Sequence, residues 1–111
     1  MYKFGTVVLI PFSFTDLTSA KVRPAVILSK GVFGQDVIVA FLSSKGGNFK
    51  NSWKISEKDP FFGKTGLKVA SRLRFDKLAT LHKGLILGEM GFIPSKYLKE
   101  KADVFRGVFG F

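Results

Sequence analysis

Ala25-Val26-Ile27-Leu28-Ser29-Lys30-Gly31-Val32-Phe33-Gly34-Gln35-Asp36-Val37-Ile38-Val39-Ala40-Phe41-Leu42 holds two apolar runs on either side of a glycine-bearing octet. Both runs are short and rich in β-branched residues, without the three-to-four spacing of a helix, so both read as strands. Gly31 and residues 34–36 supply a turn, which makes the pair an antiparallel hairpin. Upstream, Val7-Val8-Leu9-Ile10 is a third run of the same kind. All three are apolar on both faces. That is the pattern of a sheet with one face filling a barrel and the other meeting a helix or a second subunit.

Downstream, the basic loop Lys45-Gly46-Gly47-Asn48-Phe49-Lys50-Asn51 leads to a weaker strand around residues 53–55. Residues 57–66 are turn-rich and read as mobile. Over residues 67–81 the alternation is informative, because side chains two apart on a strand share a face, about 7 Å apart. Leu73 and Phe75 therefore point one way, and Arg72, Arg74 and Asp76 the other. Gly84, Gly88 and Gly91 punctuate the next stretch of chain. Ser95 reads as a helix N-cap, and Leu98, Ala102, Phe105 and Phe109 recur at helical spacing. The expected architecture is mainly β within the α+β class: one domain over residues 1–111, a small, strongly curved antiparallel β-barrel with a C-terminal helix.

Composition narrows the chemistry. With no cysteine among 111 residues, disulfides, thiolate metal sites and cysteine nucleophiles are excluded. A single histidine, His82, reads as a surface or turn residue. The formal charge is +10, and it is spread evenly: residues 1–55 carry seven basic and two acidic groups, residues 56–111 eleven and six. A basic body of this kind implies an anionic partner, nucleic acid being the commonest. No targeting segment and no run near the ~20 apolar residues of a membrane span is expected, and the chain is placed in the cytoplasm.

Gly63-Lys64-Thr65 echoes the end of a phosphate-binding loop, but Lys58 stands where that motif needs its first glycine, so the triplet reads as a turn. The eight carboxylates are scattered without a close pair, which argues against two-metal hydrolysis and predicts no metal and no cofactor. Guanidinium, ammonium and hydroxyl groups and one carboxylate in a strand remain. That set suits RNA, whose own 2′-hydroxyl attacks the adjacent phosphorus if a base, charge-stabilising donors and a proton for the leaving oxygen are supplied. Phe49, Trp53, Phe61 and Phe62 either stack bases or pack in the core or a dimer interface.

Gly5-Thr6-Val7-Val8-Leu9-Ile10-Pro11-Phe12-Ser13-Phe14-Thr15-Asp16-Leu17, followed by Lys21-Val22-Arg23-Pro24-Ala25-Val26-Ile27-Leu28-Ser29, resembles the PemK/MazF toxins, ribosome-independent endoribonucleases of toxin–antitoxin pairs. Gly46-Gly47-Asn48-Phe49 and Arg74-Phe75-Asp76 resemble the PemK branch in particular. The resemblance implies an SH3-like or CcdB-like barrel and an active site of Arg23 and Ser43, with Ser44 as the register alternative. It implies an acid and base at Arg74 and Asp76. Lys21, Ser44, Lys45, Asn48, Phe49 and Arg72 are the expected RNA-binding residues. Thr6 replaces the family's usual aspartate, and no histidine precedes Arg23-Pro24, which leaves Asp76 or Lys21 as the base.

The implied reaction is metal-free, sequence-specific cutting of single-stranded messenger RNA to 2′,3′-cyclic phosphate and 5′-hydroxyl ends. The implied partners are that RNA, a cognate antitoxin with an acidic tail, and a second copy in a homodimer, with DNA reached only through the antitoxin complex. A different reading of the same barrel is a non-catalytic CcdB-like toxin or binding module that inhibits a protein such as gyrase.

Overall fold

The structure is a computed structural model that describes residues 2–13, 20–31, 33–45 and 50–110. Its centre is a curled antiparallel sheet of β1 (Thr6–Ser13), β2 (Ala20–Ile27), β3 (Asp36–Ser43), β4 (Ser52–Ile55), β5 (Ser71–His82) and β6 (Gly88–Phe92), in the order β4-β5-β3-β2-β1-β6. The edges β4 and β6 do not pair with each other, so the sheet is a half-barrel rather than a closed one. The three apolar runs fall within β1, β2 and β3, and the expected hairpin turn is closed by a Phe33–Asp36 bridge.

Each face of the sheet is apolar for its own reason. Val7, Val26, Ala40, Leu42, Leu73 and Phe75 form the concave core, which the C-terminal helices cover. Val8, Ile10, Ala25, Ile27, Val37 and Val39 form a second buried cluster on the other face, topped by Ile86 and Tyr2. Strands apolar on both faces are thus explained within one chain.

Three elements depart from the sequence reading. Residues 57–66, read as mobile turns, carry a one-turn helix, α1 (Phe62–Thr65), anchored by the buried side chains of Phe61 and Thr65. Thr65 donates its hydroxyl to the Phe62 carbonyl at 2.7 Å and accepts from the Leu67 N–H at 3.1 Å, so Gly63-Lys64-Thr65 is a structural corner. The glycine-punctuated segment contains a strand, β6, which hides from an apolar pattern because Gly91 packs where no side chain fits. A Cβ there would lie 2.1 Å from the Lys64 carbonyl oxygen.

The tail forms two helices, α2 (Ser95–Lys99) and α3 (Ala102–Phe109), with Pro94 rather than Ser95 at the N-cap. The break lets both halves follow the curved sheet. Leu98 of α2 is buried beside Gly5, while Phe105 of α3 meets Phe75 edge-on at 5.8 Å. Phe109, at the end of the predicted stripe, is exposed.

Candidate active site

Pro24 shapes the candidate site. It sits inside β2 opposite Leu9 of β1, but it has no N–H for the strand on its other side. The β2–β3 ladder accordingly runs only over Ala25–Phe41, Val26–Ala40 and Ile27–Val39, and stops at the proline. Beyond that point lies a cavity of about 370 Å³, lined by Lys21, Arg23 and Ser44 together with Leu42, Leu67 and Met90. Arg23 is half-buried with its Nε shielded from solvent, whereas Lys21 is exposed.

Register fixes which charges share a face. Val8, Ala25, Phe41, Arg74 and Ser52 stand side by side across β1, β2, β3, β5 and β4. Two residues further towards the cavity, Arg23 is opposite Ile10, and Arg72 is opposite Ser43 on one side and Lys54 on the other. By strand alternation Arg23, Ser43, Arg72, Lys54 and Arg74 all belong to one face. The expected split of β5 holds as well: Leu73 and Phe75 are buried, while Arg72 and Arg74 are half-buried and Asp76 is exposed. Between Ala40 and Phe41 the pairing jumps from Leu78 to Arg74, and Asp76 lies in the resulting bulge.

Arg74 and Asp76 close on one another. The Arg74 Nε donates to Asp76 Oδ1 at 3.0 Å and its Nη2 to Oδ2 at 2.5 Å, a bidentate fork. The hydrogen bond from Arg74 holds the Asp76 carboxyl below the usual carboxylate range against the opposing effect of burial, and the bond to Asp76 raises Arg74 further. Asp76 is therefore a weak proton acceptor while the fork is closed. The guanidinium of Arg72 is oriented differently, donating from Nη1 to Ser52 Oγ at 3.2 Å.

The structure brings Arg23, Lys21 and Ser44 to one cavity. Ser43, Ser44, Lys45 and Arg72 line an adjoining cleft of about 240 Å³. Ser43 Oγ accepts from the Lys45 N–H at 3.3 Å, which fixes the strand end. Arg74 and Asp76 share the face but line neither space. Asn48 and Phe49 lie outside the described residues. Trp53 and Phe61 are core aromatics, with ring centroids 5.7 Å apart, rather than free stacking platforms. His82 is the turn residue expected, its Nδ1 accepting from the Gly84 N–H at 2.8 Å.

Lys54 was missed at the sequence level. The signal was available: Trp53 and Ile55 face the core, so the residue between them must join the charged face. Among the described residues no group of three His, Cys, Asp or Glu is placed to hold a metal, and no helix is long and apolar enough to cross a membrane.

Comparison with solved structures finds the same fold. An endoribonuclease in complex with its cognate antitoxin from a mycobacterial species superposes with a TM-score of 0.76 at 14% identity, covering 100% of this chain and 97% of the other. The Mycobacterium tuberculosis toxin MazF-mt6 gives 0.70 at 16% identity, covering 94% and 97%. A further mycobacterial endoribonuclease gives 0.71 at 16%, covering 98% and 91%. No curated protein matches the chain significantly. The family model for the PemK-like, MazF-like toxin of type II toxin–antitoxin systems matches residues 3–109, and the chain belongs to that family.

Proposed function

We propose that this chain is an endoribonuclease toxin that cuts single-stranded messenger RNA without a metal ion and is silenced by a cognate antitoxin. One observation carries the reading: half-buried Arg23 and the Ser43-Ser44 strand end meet where the β2–β3 ladder stops, around two adjoining basic spaces. In the proposed reaction the RNA 2′-hydroxyl gives up its proton and its oxygen bonds to the adjacent phosphorus. The bond from phosphorus to the 5′-oxygen then breaks, and that oxygen takes a proton. Arg23, always charged and fork-shaped, stabilises charge developing on the phosphorane, and a strand-end serine donates a hydrogen bond.

The base is Asp76 or Lys21. Asp76 becomes available only if a phosphate competes for the Arg74 fork and opens the pair. Because the RNA carries its own nucleophile, the step needs no metal-activated water. Two partners complete the proposal. The +10 charge suits an antitoxin with an acidic tail as well as RNA. The apolar cavity of about 410 Å³ lined by Ile10, Phe41, Leu81 and Leu85 suits a second copy in a homodimer, and the chain acts in the cytoplasm.

Incubation with a long single-stranded RNA in excess chelator tests the reaction. Cleavage should leave 2′,3′-cyclic phosphate and 5′-hydroxyl ends and stop when the 2′-hydroxyls are methylated. Complete loss of cleavage with chelator, or trapping of gyrase in place of cleavage, would overturn it.

A further inference from the structure

Lys54 and Arg72 stand directly opposite each other on β4 and β5, on one face of the sheet. Like charges so placed repel across an antiparallel pair. Lys45 adds a third cation to the cleft that they line, and none of the described residues lining it is a carboxylate. Arg72 is nevertheless held in place, by its bond to Ser52, and is half-buried. Three cations gathered around a space of about 240 Å³ without a counter-charge among its lining residues make an anion site.

We infer that this cleft binds the RNA phosphate next to the scissile one, with Arg72 gripping its oxygens as a fork and Lys54 as a point charge. The inference rests on the proposed reaction at Arg23. The cleft and the Arg23 cavity share Ser44 and Ser71 in their walls, so the two spaces adjoin. A polynucleotide with its scissile linkage at Arg23 must place the next linkage one nucleotide away, and the cleft is the basic space that adjoins the Arg23 cavity. An acidic side chain of a protein partner offers the same charge without that covalent spacing.

The test is binding of a fully 2′-O-methylated, uncleavable single-stranded RNA by fluorescence anisotropy at several salt concentrations, for wild type, Lys54→Met and Lys54→Arg. A glutamate-rich peptide serves as the protein-like competitor. Lys54 is exposed, so both variants should fold, and circular dichroism checks this. Lys54→Met should weaken RNA binding roughly three- to tenfold and make the log–log salt slope shallower by about 0.7, the loss of one phosphate contact. Lys54→Arg should restore most of both.

Unchanged RNA affinity and slope would overturn the inference. Weakened peptide binding with unchanged RNA binding would also overturn it, and would give the cleft to an acidic protein instead. Because binding is read on an uncleavable RNA, a wild type that cuts nothing would overturn the proposed reaction and the placement next to a scissile linkage, while the Lys54 effect would still support an RNA-phosphate site in the cleft.

Discussion

Arg74 and Asp76 neutralise each other in the free protein, and their titration has a definite sign. Asp76 is held below the ordinary aspartate value of about 3.9, chiefly by the hydrogen bond from Arg74. The pair therefore contributes stability that is fully present above that ordinary value and is lost as pH falls through the lowered one. Asp76→Asn should destabilise the fold at pH 6 by no more than ~1 kcal/mol, since the pair is partly solvated. The gap to wild type should narrow as pH is taken below the ordinary aspartate value. Urea unfolding midpoints across that range measure it, and a gap that widens in acid would refute the assignment. That Arg72, Arg74 and Asp76 share a face was legible from strand alternation alone. That Arg74 closes on Asp76 was not, because it depends on two side-chain rotamers and on a bulge that no residue pattern announces.

At the scale of elements, apolar runs were the legible part: β1, β2, β3 and the charged–apolar alternation of β5 follow from composition and period. β6 was illegible because its Gly91 is there for close backbone approach, which leaves no apolar signature. Gly91→Ala should accordingly destabilise the protein by about 1–3 kcal/mol, as overpacking does, since the new methyl meets the backbone of α1. The measurement is a denaturant midpoint compared with Gly88→Ala, where a Cβ meets nothing within 4 Å. Equal effects would mean that the packing of β6 against α1 does not secure the edge. The helical tail was legible as one apolar stripe, but its break was not, because the curvature that it follows is a property of the whole sheet. Pro24 stood just before the apolar run of β2 and announced nothing by itself. Its consequence, the end of the β2–β3 ladder and the cavity beyond, needed the neighbouring strands in place.

For the whole molecule, charge is the governing quantity. With +10 spread over both halves, affinity for an uncleavable single-stranded RNA should fall steeply with salt. The log–log slope should be roughly −0.7 per neutralised phosphate, or about −3 for four contacts. A flat salt response would mean that the charge serves something other than a nucleic-acid backbone. The central claim concerns the corner at Arg23, where fold, charge and the candidate reaction meet. The direct measurement is single-turnover RNA cleavage by Arg23→Ala and Arg23→Lys beside wild type, with affinity for uncleavable RNA measured in parallel. Arg23→Ala should lose on the order of 10²–10³ in rate, as when one oxyanion donor is removed, while affinity changes far less because fourteen lysines and three other arginines still attract the backbone. Arg23→Lys should recover little of the rate, because a point charge does not replace the fork. Cleavage by Arg23→Ala at the wild-type rate would contradict the placement of the active site.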